Sequence, residues 1–357
     1  MLKILFLSTS VGALGSGQGG GVELTVQNLA RELSRRGHQL EVVAPQNSWL
    51  TDVPVTTVAG NLQIPVQTQD RDVPVCLPDN SVLANMWEYA RQVEQKYDLL
   101  VNFAFDWLPF YLTPFFSTTV AHFISMGSMT AASDRIMQQT IERYPGTFGV
   151  YTQSQANTFA FARNCEILGS AIDLSLYQYN DSPEGDLAWL GRIAPEKALE
   201  DAVAAVSITG TPLKIFGRIQ DSDYWQQIGR DFPDAPIEYR GFLGTEQLQQ
   251  ELGKCRALLM TPRWIEAFGN VAIEALACGV PVIAYRRGGP SEIVSHGKTG
   301  FLVEPDSVTG LVEAINKIDR LDRRLCRQQA EAEYSLRALG DRFEAWFERL
   351  VNPATRK

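Results

Sequence analysis

Apolar positions along the chain gather into short unbroken runs separated by helix-like stretches. Residues 2–9 (LKILFLST) form such a run, of strand length and without alternation, the pattern of a strand covered on both faces. A glycine-rich loop follows, then a helix-like stretch from Val22 to Arg36 that Gly37 ends, and HQLEVVAP supplies the next strand. That order predicts a strand-helix-strand unit in a parallel sheet. The second half repeats the theme. LAWLGRI (187–193) precedes a helical stretch from Leu199 to Val206, LKIFGRI (213–219) and CRALLMTP (255–262) read as strands, GNVAIEALAC reads as a helix stopped by Gly279, and VPVIAY (280–285) is a buried strand. Two doubly wound α/β domains are the simplest architecture that fits.

The boundary is expected near residues 168–185, where GSAIDLSLYQYNDSPEGD is polar, turn-rich and aperiodic. This gives an N-terminal domain of 1–170, a second of 171–335 and a terminal segment, 336–357. Residues 320–350 carry Leu336, Leu339, Phe343, Trp346, Phe347 and Leu350 at helical spacing, which predicts one helix crossing back over the N-terminal domain and packing across both. No repeat of 20–50 residues points to a solenoid or propeller.

The 357 residues suit two domains at about 150 residues each. The 32 Lys and Arg against 41 Asp and Glu leave a net charge of −9, shared as −4 over residues 1–170 and −5 over the rest. Such an acidic balance argues against nucleic acid as a partner and against strong association with an anionic membrane. Five scattered cysteines without a C-x-x-C pair predict reduced thiols and a cytoplasmic setting. The three histidines lack neighbours at ligand spacing, so no metal site is expected. Leu2 to Leu7 is too short for a signal-peptide core. Trp107 to Ser133 carries no formal charge, but Pro109, Pro114, His122 and eight Ser or Thr make it a buried strand and cleft-lining loop rather than a membrane span.

Several motifs have a chemical and a structural reading. Gly15-x-Gly17-x-x-Gly20 has the dinucleotide spacing, yet it starts about five residues past the strand, and the second strand ends VVAP with no acidic residue for a ribose. A loop at a helix N-terminus that holds an anion or a sugar oxygen fits better, beside a purely structural loop. Asp221-x-Asp223 could chelate a metal, but its place before YWQQIG predicts helix capping. Glu266 and Glu274 flank Phe268-Gly269-Asn270. With a helix starting near Gly269, both carboxylates and several free backbone N–H groups would face the crevice at the strand ends. That set suits a ligand bearing hydroxyls and phosphates. In isolation the two carboxylates would simply cap or solvate the helix.

The pair has company. Glu266-x7-Glu274, Gly191-Arg192-Ile193-Ala194-Pro195-Glu196-Lys197, Ile215-Phe216-Gly217, Gly288-Gly289-Pro290-Ser291-Glu292, Gly297-Lys298-Thr299-Gly300, the loop Gly19-Gly20-Gly21-Val22-Glu23 and Arg36-Gly37-His38 together resemble glycosyltransferase family 4. The resemblance implies the GT-B fold, two Rossmann-like domains facing a central cleft, and a retaining, metal-independent transferase without a cofactor. It implies that Arg192 and Lys197 hold the donor diphosphate, Glu274 the ribose, and Glu266 the donor sugar. Backbone N–H groups of Phe268, Gly269, Asn270 and Val271 would assist, with the base near Gly217, Arg218 and Phe242, and Gly20 and Gly21 at the donor. His122 would lie beside the reacting sugar, although a lone histidine is more often a packed core residue. Gly19, Glu23, Phe105, Asp106 and Trp107 would join His122 at the acceptor. Family members keep the anomeric configuration, and because no donor-face nucleophile is apparent in this sequence the expected route is front-face displacement, with the leaving diphosphate helping to deprotonate the acceptor. Ser170-Ala171-Ile172-Asp173 departs from the usual N-G-[IV]-D, and Arg263 stands where a serine is common, adding positive charge near the site.

The acidic N-terminal domain favours a soluble acceptor. Seven aromatic residues within Phe103–Phe116 suit stacking on a planar ring, although ordinary core packing also uses such residues. The N-terminal signature LGSGQGGGVELTVQNLARELSRRGHQLEVVAP is similar to a subgroup of the family that glucosylates tetrahydrobiopterin from UDP-glucose. The partners implied are a UDP-sugar and a reduced pterin. A sugar-to-sugar or glycolipid transferase, a GT-B nucleotide-sugar epimerase and a non-catalytic sugar-nucleotide binding protein remain alternatives.

Overall fold

The computed structural model describes residues 1–15 and 20–352. The chain divides into one unit of Met1–Ser170 with Leu336–Lys357 and another of Ala171–Ser335. In the first, strands β1 (Lys3–Leu7), β2 (Gln39–Pro45), β3 (Val55–Val58), β4 (Leu99–Asn102), β5 (Val120–Ile124), β6 (Phe148–Val150) and β7 (Glu166–Ile167) form an all-parallel sheet in the order β3-β2-β1-β4-β5-β6-β7. Its helices are α1 (Gly21–Arg35), α2 (Val82–Val93), α3 (Trp107–Leu112), α4 (Ala131–Arg143) and α5 (Gln153–Ala156). The second unit has β8 (Leu187–Leu190), β9 (Leu213–Phe216), β10 (Ile237–Gly241), β11 (Ala257–Met260), β12 (Val282–Tyr285) and β13 (Gly300–Val303), again all parallel, in the order β10-β9-β8-β11-β12-β13. Around it lie α6 (Leu199–Thr209), α7 (Ser222–Asp231), α8 (Thr245–Gly253), α9 (Asn270–Ala277), α10 (Pro290–Ile293), α11 (Val308–Ile315) and α12 (Arg323–Glu333), and α13 (Leu336–Val351) completes the first unit.

Both sheets are of the doubly wound kind expected. Ile4, Leu5, Phe6 and Leu7 are fully buried, as a central strand covered on both faces requires. The strand order reverses between β1 and β4 and again between β8 and β11, which opens a crevice at the carboxyl ends of those strands.

Two sequence expectations are corrected. The terminal segment is two helices, broken at Tyr334-Ser335, and only α13 carries the apolar stripe. Leu339, Phe343, Trp346, Phe347 and Leu350 are buried within the first unit, and Trp346 Nε1 donates to Gly146 O at 2.8 Å. A six-residue helix, α3, opens the uncharged stretch 107–133 before β5. Asp106 caps it, a local signal that hydrophobicity alone does not carry. No helix among the described residues is long and apolar enough to cross a membrane.

Helix α13 is tied to α1 by charge as well as packing. Arg36 pairs with Glu32 and Glu344, each at 2.8 Å, and with Asp341 at 2.8 Å, while its Nη2 also donates to Arg337 O at 2.7 Å. Glu32 is almost wholly buried, and the two guanidinium groups of Arg35 and Arg36 outweigh its desolvation and hold its carboxyl below the usual range. Removing one partner of a buried pair leaves a charge poorly compensated. Arg36→Ala is therefore expected to destabilise the first unit by about 3 kcal/mol, read as a lower urea midpoint; an unchanged midpoint would show that α13 docks by packing alone.

Candidate functional site

The second unit assembles its site at the reversal between β8 and β11. After β8 the chain passes Gly191-Arg192, makes a 3-10 turn at Pro195–Lys197 and enters α6 through Ala198, whose φ is +46°. The loop after β11 is fastened to it. Thr261 Oγ1 donates toward Ala198 O at 2.7 Å and Lys197 O at 3.1 Å, and Arg263 N donates to Glu196 O at 2.9 Å. This stitching brings Lys197 and Glu266, 69 positions apart, into a direct Nζ to Oε2 ion pair. Trp264 Nε1 donates to the same oxygen at 3.0 Å, and the Lys197 ammonium lies 4.9 Å from the Trp264 ring centroid.

Glycines seat the Glu266 loop. Gly289 N donates to Glu266 O at 2.7 Å, and a Cβ on Gly289 would lie 2.1 Å from Phe268 O. A Cβ on Gly288 would lie 2.6 Å from both the nitrogen and the oxygen of Glu266. The Gly288-Gly289 motif thus acts by letting two backbones touch. Gly269, at φ +101°, then turns the chain into α9, whose opening amides at Asn270 and Val271 have no preceding turn to bond. Asn270 Oδ1 is buried without a hydrogen-bond partner.

Glu274 lies one turn into α9. Burial raises its carboxyl to about 7, against which a hydrogen bond from Tyr177 acts. Tyr177 comes from the aperiodic boundary segment, and its carbonyl is held by Arg327 Nη1 at 2.9 Å, a group that also reaches Ala277 O at 2.8 Å. Arg192 contacts Gln220 Oε1 through Nη1 and Glu196 Oε1 through Nη2 at 3.1 Å. Gly217, at φ +137°, passes so close to Gly191 that a Cβ would lie 1.8 Å from its carbonyl oxygen. Gly217 N donates to Gly241 O at 2.8 Å, and the Arg218 guanidinium lies 4.4 Å from the Phe242 ring centroid. The unit therefore brings together Lys197, Trp264 and Glu266 as one group, and Gly217, Arg218 and Phe242 as another. Trp264, Tyr177, Gln220 and Arg327 escaped sequence reasoning, because a lone tryptophan in a loop or a tyrosine in a linker carries no periodic signal.

One expectation changes here and another holds. Arg263 adds no free positive charge, since it pairs with Glu200 at 2.5 Å and Asp201 at 3.1 Å. Asp221 caps α7, accepting from Tyr224 N at 2.9 Å. Among the described residues no cluster of three His, Cys, Asp or Glu is arranged to hold a metal.

In the first unit, Gly17 and Gly19 lie outside the described residues. Gly20 and Gly21 open α1, and Gly20 N donates to Glu23 Oε2 at 2.7 Å while Thr9 Oγ1 donates to Glu23 Oε1 at 2.9 Å. Glu23 is thus a buried tie between two loops rather than a free carboxylate. His122 is corrected outright. It has no exposed surface, lies between the rings of Phe110 and Phe148 at 4.7 and 5.1 Å, and has both ring nitrogens engaged. Asn102 Nδ2 lies 3.2 Å from Nδ1, and Thr113 Oγ1, which donates to Pro109 O, lies 2.9 Å from Nε2. That pattern fits a neutral ring protonated at Nε2, and burial lowers its pKa to about 3. A core histidine so held touches no ligand. Phe105, Asp106 and Trp107, by contrast, do come together on the wall of a pocket of about 320 Å³.

Residues 19–123 match the family Glycosyltransferase Family 4, and residues 180–335 match Glycosyl transferases group 1. The chain is 26% identical to D-inositol 3-phosphate glycosyltransferase of Nocardia farcinica, over 89% of this chain and 82% of that one. It is 31% identical to sulfoquinovosyl transferase SQD2 of Arabidopsis thaliana over 43% of this chain, and spans only 31% of that protein's length. The Anabaena protein Alr3699/HepE, solved with UDP and glucose, superposes with a TM-score of 0.73 at 18% identity, covering 98% of this chain and 100% of that one. At that identity the likeness establishes the fold, two parallel-sheet Rossmann-like domains of the GT-B type.

The raised pKa of Glu274 has a consequence for stability. Its folded value of about 7 lies above the ordinary 4.5, so ionisation opposes folding. The opposition is absent below pH 4.5, grows as pH rises toward 7 and is complete above. Glu274→Gln should therefore stabilise the unliganded protein at pH 8 by about 3 kcal/mol, read as a higher melting temperature, and leave that temperature unchanged at pH 4. Equal shifts at both pH values would assign the effect to packing instead.

Proposed function

We propose that this chain, built from a Glycosyltransferase Family 4 domain and a Glycosyl transferases group 1 domain, is a UDP-glucose:tetrahydrobiopterin glucosyltransferase. It moves glucose from UDP-glucose to a side-chain hydroxyl of tetrahydrobiopterin, retains the anomeric configuration and needs no metal. The observation that carries the donor half is the grouping of Lys197, Glu266 and the start of α9 at the crevice of the second unit. A lysine beside the opening amides of a helix is a place for phosphate, and a carboxylate beside them suits sugar hydroxyls. The Anabaena structures with UDP and with UDP-glucose support the same donor.

In this reading Arg192 and Lys197 neutralise the diphosphate. Phe268, Gly269, Asn270 and Val271 offer backbone N–H groups, Glu266 accepts from the sugar, and Glu274 from the ribose. Gly217, Arg218 and Phe242 hold the base, with Phe242 supplying an exposed aromatic face. Gly20 and Gly21, at the start of α1, are also assigned to the donor. The bond from the anomeric carbon to the β-phosphate oxygen breaks as the acceptor oxygen bonds to the same face. The acceptor proton passes to the departing phosphate oxygen, giving UDP and an α-glucoside. Lys197, Arg192 and the helix start stabilise the charge that grows on the leaving group. His122 takes no part, since no reacting atom reaches it.

The test offers the full chain a panel of UDP- and GDP-sugars with reduced pterin, sugar and lipid acceptors, and identifies products by mass and anomeric coupling. UDP release with an α-hexosyl pterin is expected; an isomerised UDP-sugar without UDP would replace the transferase by an epimerase. Lys197→Ala and Glu266→Gln should each lower kcat/KM about 100-fold or more with the circular dichroism unchanged. Two active variants would remove the site assignment. Excess chelator should leave the rate intact, and a lost rate would bring back Asp221 and Asp223 as ligands.

A further inference from the structure

Residues 62–78 form a strap with one 3-10 turn and no strand, and four of its apolar side chains, Leu62, Ile64, Val75 and Leu77, stand 42–71% exposed. Exposed apolar side chains gathered around one cavity call for an occupant more than scattered ones do. The strap is fixed at both ends of that cavity. On one side Gln63 N donates to Ser10 O at 2.9 Å and Gln63 Nε2 to Asp106 Oδ2 at 2.7 Å. On the other, Ala131 N donates to Arg71 O at 3.1 Å, and the Arg71 guanidinium reaches Ser128 Oγ and Asp134 Oδ2, each at 3.0 Å. The pocket, about 320 Å³, is of small-molecule size and is lined wholly by the first unit, beside the end of β4.

Its walls are mostly aliphatic and aromatic, with Gln63, Gln69, Thr130 and Ser133 as neutral polar members, and Trp107 is stiffened by stacking on Tyr111 at 4.6 Å and 18°. Asp106 is the one charged side chain among the lining residues. Desolvation raises its carboxyl above the usual range, and the hydrogen bonds from Gln63 and from the Leu108 and Trp107 backbones offset only part of that. Oδ2 accepts from Gln63 at 2.7 Å, whereas the Leu108 N contact to Oδ1 is 3.5 Å, too long for a strong bond. A sugar would leave many hydroxyls unpaired against such walls, and a long lipid chain would exceed the volume.

We propose that this pocket is the acceptor subsite, and that Asp106, oriented by Gln63, selects an acceptor presenting adjacent N–H donors on the edge of a flat, largely apolar ring, as a 2-amino-4-oxopyrimidine does. The assignment rests on the transferase reading above and names the residues that read the acceptor.

The test measures equilibrium binding to the full chain without donor, using biopterin and its 2-oxo counterpart lacking the amino group. Wild type should prefer the amino ring by about tenfold or more, the worth of a charge-assisted hydrogen bond. Asp106→Asn should abolish the preference and weaken biopterin by a similar factor, with UDP affinity unchanged as the check on folding. If Asp106→Asn also weakens UDP, Gln63→Leu decides: a reduced preference supports the assignment and an unchanged one overturns it. Absence of preference in wild type, or its survival in Asp106→Asn, also overturns it. Sugar transfer that needs Lys197 but keeps its acceptor KM in both pocket variants overturns the pocket alone. A wild type that binds the amino ring selectively but consumes no UDP-sugar sinks the donor reading instead.

Discussion

The reversal of strand order in an all-parallel sheet is the constraint from which both candidate sites follow. Crossovers wind one way on one side of the reversal and the other way beyond it, so two neighbouring loops leave the strand ends in opposite directions. In the second unit those loops follow β8 and β11, and they carry Arg192 and Lys197 on one side and Glu266 and Phe268 on the other. In the first unit they follow β1 and β4, and the β4 loop carries Phe105, Asp106 and Trp107. Buried strands contribute rigidity, while the loops are free to vary in chemistry.

The acidity of the chain shapes the unliganded site. With nine more acidic than basic residues, the cations of the second unit do not stand alone: Arg192 has Glu196, Lys197 has Glu266, and Arg263 has Glu200 and Asp201. An anionic ligand must compete with a carboxylate for each of the first two. Trp264 touches both members of the Lys197–Glu266 pair, its ring centroid 4.9 Å from the ammonium and its Nε1 bonded to the carboxylate.

Much of this was legible in the sequence, for reasons that can be named. The apolar runs at residues 2–9, buried from Ile4 onward, and 280–285 have the pattern of central strands in a covered sheet, Gly288-Gly289 and Gly217 stand where no side chain fits, and Gly269 takes a positive φ. Ordered motifs placed Lys197 and Glu266 in one site although 69 positions separate them. Tertiary pairing was not legible. Nothing local marks Tyr177 as the partner of Glu274, or Gln63 as the partner of Asp106, since each contact joins a linker or loop to a distant strand end. His122 misled because its position along β5 specifies a strand and a neighbourhood, while the face it occupies depends on Asn102, Thr113, Phe110 and Phe148.

His122 and Asp106 illustrate how burial separates a structural polar group from one awaiting a ligand. Both are withdrawn from water and both are pushed toward their neutral forms. The histidine is satisfied as a neutral ring, with one nitrogen facing an amide donor and the other a hydroxyl, so nothing further is gained by adding a partner. The aspartate has one oxygen fixed by Gln63 and a long contact from Leu108 N to the other, and it lies beside a cavity rather than against packed rings. Glu274 resembles the aspartate: it is desolvated, and Tyr177 offsets only part of the cost. An incompletely paired carboxylate is a standing expense to the fold that a ligand with N–H or O–H groups can relieve, and the two found at strand-end crevices are the ones assigned to substrate.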